Sequence, residues 1–215
     1  LGIDEAVLAA KEAEIVIMIL GEYGYQSGEG RSRANLDLPG LQQELLERVR
    51  EVNKNIVLVI MSGRPLILNW ADENIPSIVQ AWHLGTQSGY AISEVLYGDY
   101  NPSGKLTMSF PRSVGQMPLY YSRKSTGRPG ADGEDQGSVF WSHYQDEKNS
   151  PLYPFGYGLS YTSFDYSQIT LTDSKMSPDE TINADITITN TGKEKGKEVV
   201  QMYIHDRYAS ATRPI

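Results

Sequence analysis

Two short, unbroken apolar runs, IVIMIL at residues 15–20 and IVLVIM at residues 56–61, constrain this chain more than any other feature. Each has the length of a β-strand, and each lacks the apolar–polar alternation of a strand with one wet face. The pattern therefore predicts strands buried on both faces. Between them Leu41, Leu45, Leu46, Val49 and Val52 recur at helical spacing, and Ile3, Ala6, Val7 and Ala10 do the same ahead of the first run. A third strand is expected at residues 77–82 (SIVQAW). Thr86 is placed to cap a helix running through Tyr90, Ile92, Val95 and Leu96, which Gly98 ends. Buried strands alternating with amphipathic helices imply the α/β class, a largely parallel sheet covered by helices.

In such sheets ligands bind beyond the carboxyl ends of the strands. The loops after Leu20 and after Trp82 lie there, so chemistry is sought in them first. Residues 122–138 are rich in Gly, Ser and charge without periodicity, which predicts a long loop, mobile or functional. Beyond the segment LYPFGYGLSYTSF the pattern changes. Residues 168–173, 182–190 and 198–204 alternate apolar and polar, and INADITITN and VVQMYIH read as strands of a β-sandwich. A sandwich needs about seven strands, and only about three are legible here. Val199, Val200, Met202, Tyr203 and Ile204 are thus expected to lack cover and to offer a route to self-association.

The net charge of -8 disfavours nucleic acid as a partner. No apolar run is long enough to span a membrane as a helix. With no cysteine, a disulfide framework and Cys-based metal sites are excluded. His83, His143 and His205 are too scattered to argue for a metal, and no cofactor is expected. Tyr is the dominant aromatic, which suits either sugar stacking or half-buried strand positions.

The first loop, GEYGYQSGEGRSRANLDLPG, carries the carboxylates Glu22 and Glu29, the cations Arg31 and Arg33, and five glycines. Gly28 and Gly30 flank Glu29. A carboxyl on so flexible a backbone is poorly placed for packing and well placed to reach a ligand. The loop lacks the spacing of a phosphate-binding loop, and its carboxylates would repel phosphate.

Taken together, GE…EGRSR…LDLPG, SGRPL, AWHLGTQSGYAISEVLYGDYNPSGKLTMSFPRSVGQMPLYY, TGRP and LYPFGYGLSYTSF closely resemble the C-terminal half of family 3 glycoside hydrolases, most of all the periplasmic β-glucosidase type of bacteria. The resemblance implies an enzyme of three parts: a TIM-barrel-like domain with a nucleophilic Asp, an α/β sandwich with an acid/base Glu, and a fibronectin type III-like domain. Residues 1–162 then correspond to the α/β sandwich and residues 163–215 to a truncated fibronectin-like part. The barrel lies outside this chain, as does any signal for the expected periplasmic or extracellular location. The implied substrate is a β-linked oligosaccharide or glucoside with a terminal glucosyl residue. Alternative readings are a β-xylosidase or other β-glycosidase of the family, or a non-catalytic carbohydrate-binding module. The chain alone is expected to be inactive.

The family's acid/base Glu sits in an E-G-x-x-R pattern ahead of the LDLP segment, which maps it to Glu29. Many members carry Asp where this chain has Ser32. Glu22 reads as a loop support, with Arg33 as its candidate partner, and a direct catalytic role is the competing reading. A retaining glycosidase places its two carboxyls about 5–5.5 Å apart. The acid must be neutral at one step and charged at the next, whereas nearby Arg31 and Arg33 would favour its charged form. At least one of them is therefore expected to point away from Glu29 or to be neutralised by another acid. Trp82, at a strand end, reads equally as a wall of the sugar cleft or as a core anchor. Trp141, His143 and Tyr144 are candidates for a leaving-group subsite.

Overall fold

The computed structural model describes residues 2–123, 128, 140–206 and 208. Most of the long loop expected at 122–138 lies outside the described residues. The chain forms two compact units. The first comprises Leu1–Ser88, Leu106–Tyr157 and Tyr203–Ile215, and the second Gly89–Lys105 and Gly158–Met202.

The first unit is α/β. Helix α1 (Gly2–Glu12) leads into strand β1 (Val16–Gly21), α2 (Gln42–Val52), β2 (Ile56–Met61), α3 (Asn69–Asn74) and β3 (Ser77–Gln80). The strands form one parallel sheet in the order β1-β2-β3, with Val16 opposite Ile56 and Val57 opposite Ser77. One face carries Val16, Met18 and Leu20 of β1 with Ile56, Leu58 and Ile60 of β2, packed with Ala10 of α1 and Leu46 and Val49 of α2. Each fully buried aliphatic side chain here stabilises the fold by about 1.5–3 kcal/mol relative to exposure. Asn53, at the end of α2, ties the layers together. Its amide nitrogen donates to the carbonyls of Ala10 (2.9 Å) and Ala13 (2.7 Å).

In this unit two expectations need correction. The IVIMIL run is not buried on both faces: Ile15, Ile17 and Ile19 are 62%, 45% and 58% exposed. β1 is an edge strand of this sheet, and the helices that pack on it cover only its other side. Only the central β2 is covered on both faces, with Val59 as buried as Leu58. The third strand is shorter than expected, because the chain leaves extended geometry at Trp82, whose φ is 57°.

In the same unit, residues 106–110 run antiparallel to 152–157, through Phe110 N–H to the Tyr153 carbonyl (2.8 Å) and Leu106 N–H to the Tyr157 carbonyl (2.7 Å). Phe110 is buried between Trp82 (ring centroids 5.8 Å) and Tyr153 (6.0 Å). The aromatic row thus fastens this returning segment onto the sheet layer.

The second unit holds helix α4 (Ser88–Tyr97) from Gly89 onward, and the short strands β4 (Phe164–Tyr166), β5 (Thr170–Leu171), β6 (Ala184–Asp185) and β7 (Ile188–Asn190). β4 pairs antiparallel with β7, and β5 with β6. The register slips by one residue between the two ladders, from Tyr166 opposite Ile188 to Thr170 opposite Asp185. Residues 167–169 therefore face only 186–187, the signature of a β-bulge. The expected continuous strand at 182–190 is split in this way. The expected strand at 198–204 is not formed: those residues have no regular ladder, and Ile204 is 85% exposed. Alternation creates a face, but a strand also needs a neighbour for its N–H and C=O groups.

The GDYNPSGK motif is structural in this unit. Asn101 Oδ1 accepts from Ser160 Oγ and from Tyr161 N–H (2.9 Å each), and its amide nitrogen donates to the Lys195 carbonyl (3.0 Å). Lys105 donates to the Gly158 carbonyl at 2.8 Å and pairs with Glu198 at 3.4 Å.

Gly21 closes β1 with a φ of 128°, and a Cβ there would lie 2.0 Å from the Met61 carbonyl oxygen. Gly21→Ala is therefore expected to destabilise the fold by about 3 kcal/mol, combining a glycine-only dihedral with a backbone clash. Urea denaturation checks this; a loss below about 0.5 kcal/mol, the range of an ordinary surface change, would refute it.

Candidate active site

The carboxyl ends of the three parallel strands lead into residues 21–35, 62–64 and 82–83. Glu22 directly follows β1, and its N–H donates to the Met61 carbonyl at 2.8 Å. The residue is 3% exposed. Its carboxylate receives Arg33 Nη1 at 2.9 Å, Arg64 Nε at 3.1 Å and the Gly63 N–H at 3.4 Å. Burial alone would raise its pKa. The hydrogen bond from Arg33 and the charge and hydrogen bond of Arg64 outweigh that, and the pKa lies below the ordinary 4.5.

From this anchor the loop makes a 3₁₀ turn at Gly24–Gln26 and reaches a tight turn in which Arg31 N–H donates to the Gly28 carbonyl at 3.1 Å. Glu29 and Gly30 hold its two central positions. Gly28 and Gly30 have φ of 118° and 68°, dihedrals that glycine supplies without steric penalty. Glu29 is exposed at the tip, and its side chain has no hydrogen bond or ion pair among the described residues. Arg33 is turned to Glu22 and the Asp37 carbonyl (3.0 Å). The side chain of Arg31 is exposed and has no ion pair among the described residues. The tip thus presents a carboxyl whose neighbouring Arg33 charge is already taken up by another acid.

Arg64, from the loop after β2, is the site's unexpected member. Besides Glu22, it binds the carbonyls of Gln26 (2.8 Å) and Arg31 (2.7 Å) through Nη2. A Cβ at Gly63 would meet Ser27 Oγ at 1.8 Å and His83 Cδ2 at 3.2 Å, so the three strand ends are packed closely here. Gln42, at the start of α2, exchanges two hydrogen bonds with the backbone of Gly21 (2.6 and 2.8 Å). Neither Arg64 nor Gln42 stood out in the sequence. A cue for Arg64 existed: SGRPL follows the IVLVIM strand and therefore also sits at a carboxyl end.

Trp82 is half-buried and its ring joins the core through Phe110. Its left-handed backbone is a strained conformation for a bulky residue, costing about 1–2 kcal/mol. Trp141, His143 and Tyr144 form a separate local turn. His143 Nδ1 lies 2.9 Å from the Trp141 carbonyl, Tyr144 Oη donates to the Gly115 carbonyl at 3.2 Å, and Asn149 bridges Ser142 and Tyr144. Among the described residues no hydrogen bond or ion pair joins this turn to Glu29.

Residues 1–161 match the glycosyl hydrolase family 3 C-terminal domain. Over 99% of its length the chain is 48% identical to a periplasmic β-glucosidase of Salmonella typhimurium and 44% identical to a β-xylosidase of Formosa agariphila, and it spans 28% of each. Its fold is similar to that of a β-glucosidase from Listeria innocua, with a TM-score of 0.91 and 37% identity over 99% of this chain and 29% of that one.

Proposed function

Because this chain belongs to glycosyl hydrolase family 3, whose C-terminal domain its residues 1–161 form, we propose that it supplies the acid/base carboxyl of a retaining β-glucosidase. The observation that carries this reading is the placement of Glu29, exposed at the tip of a glycine-flanked turn beyond the carboxyl ends of a parallel sheet. Glu29 protonates the glycosidic oxygen as the bond to the anomeric carbon breaks, then takes the proton from water in the second step. The nucleophilic Asp comes from a barrel domain elsewhere in the same polypeptide; the chain spans only 28% of its curated relatives. Residues 1–162 act as the α/β sandwich, and residues 163–215 open a fibronectin type III-like domain. The periplasmic relative supports a periplasmic or extracellular location.

Glucose is preferred over xylose as the terminal sugar, since glucosidases recur among the relatives and the solved structures. The β-xylosidase relative keeps xylosides as the second reading. The test is the stereochemistry of the full-length enzyme acting on an aryl β-glucoside. Proton NMR is expected to show β-glucose released first, with α-glucose appearing only by mutarotation. Release of the α anomer first would refute a retaining mechanism, and turnover by the pure chain alone would refute the division of labour.

A further inference from the structure

We propose that Arg64 is a positioning residue for the Glu29 carboxyl, a role that rests on the acid/base reading of Glu29. Arg64 touches no reacting atom. It reaches Glu29 through the backbone, because its Nη2 holds the carbonyls of Gln26 and Arg31 at 2.8 and 2.7 Å. Those two carbonyls bracket the turn whose tip is Glu29, and the turn's own closing bond joins Arg31 to Gly28. A single nitrogen therefore fixes both ends of the segment that carries the acid.

The guanidinium is itself held. Its Nε donates to the carboxylate of Glu22 at 3.1 Å, and that carboxylate is fixed by Arg33 and by the Gly63 N–H. The order of support runs from the end of β1 through Glu22 to Arg64, then to the two carbonyls, and last to Glu29. Ser27 adds a steric stop, since its Oγ fills the space where Gly63 would carry a Cβ. Few apolar contacts are available to do this work: Tyr23 and Tyr25 are 64% and 76% exposed.

The arrangement calls for arginine. The planar fork serves an acid through Nε and two carbonyls through Nη2, while a lysine ammonium is a point charge on a flexible stem. Lysine at position 64 can keep a charge beside Glu22 but cannot also hold both carbonyls in this geometry. The two functions of the residue, balancing Glu22 and fixing the turn, are thereby separable.

General acid help needs the carboxyl within hydrogen-bond reach of the leaving oxygen, and a misplacement of about 1 Å can cost ~10²-fold. The experiment compares wild type, R64K, R64A and E29A in the full-length enzyme. It reads kcat/KM on alkyl glucosides, which need protonation, and on dinitrophenyl glucosides, which do not, alongside thermal stability. R64K is expected to melt near wild type yet to lose about 10–100-fold on alkyl glucosides, with little loss on the activated substrate. R64A should show the same substrate dependence and a lower melting temperature. Should R64A fail to fold, R64K alone decides. Equal losses on both substrates in R64K, or none on either, would overturn the positioning role while a steep substrate dependence in E29A kept Glu29 in place. A flat dependence in E29A would instead remove the acid/base reading, and with it the role of Arg64.

Discussion

Glu29→Ala in the full-length enzyme is expected to cut hydrolysis of alkyl glucosides and disaccharides by ~10²–10⁴-fold, the usual worth of a positioned general acid. Dinitrophenyl glucosides should still form the glycosyl-enzyme nearly as fast, because their leaving group departs as a stable anion. The second step then limits turnover, since water lacks its base. Added azide should restore turnover of these substrates by attacking the anomeric carbon without giving up a proton, yielding a β-glucosyl azide. The motive for this expectation is geometric: the described residues offer Glu29 no internal partner that would occupy its carboxyl. Identical losses on both substrate classes, with no glucosyl azide detectable, would reassign Glu29 to a structural role.

Glu22→Gln is expected to act mainly on stability. The substitution keeps the size of the side chain and removes its charge, leaving Arg33 and Arg64 facing one another without an anion between them. Breaking a buried pair from one side costs about 3–5 kcal/mol. The lower end applies, at about 3 kcal/mol, because the two arginine side chains keep 22% and 18% exposure and can recruit water. Chemical denaturation at neutral pH reads this directly.

The pH dependence supplies an independent check. The folded pKa of Glu22 lies below its ordinary 4.5, so the unfolded chain binds the proton more readily. The stabilisation from its ionised form is complete above the unfolded value and is lost as pH falls through the lower, folded value. Wild type should therefore lose stability relative to E22Q on acidification below about 4.5, while the difference between them stays constant above pH 6. Parallel curves throughout the acid range would show that Glu22 is not the anchor.

Class and site were legible in the sequence to different depths. The apolar runs and helical spacings determine an α/β layer, because burial of a continuous apolar strand leaves few alternatives to a sheet with covered faces. Gly28 and Gly30 around Glu29 mark the tip of the turn, since a residue type that tolerates positive φ advertises where the backbone needs it. Those features are local, and the chain states them directly. Exposure of the Ile15, Ile17 and Ile19 face was not legible, because an apolar run reports what a strand prefers to bury, not which neighbours are there to bury it. The missing strand at 198–204 has the same cause: pairing depends on a second segment, which alternation does not name.

Arg64 is the clearest case of what only tertiary structure decides. It lies 42 positions from Glu22 and 38 from Gln26, and its place after a strand does not name either partner. The parallel arrangement of β1 and β2 brings Gly21 opposite Met61, and so sets the residues that follow each strand side by side. A guanidinium then finds a buried carboxylate and two unpaired carbonyls within reach of one fork. The sequence determined which loop would hold an exposed carboxyl between two glycines; the register of two strands determined what holds that loop, because hydrogen bonds between distant segments exist only once the backbone has been placed.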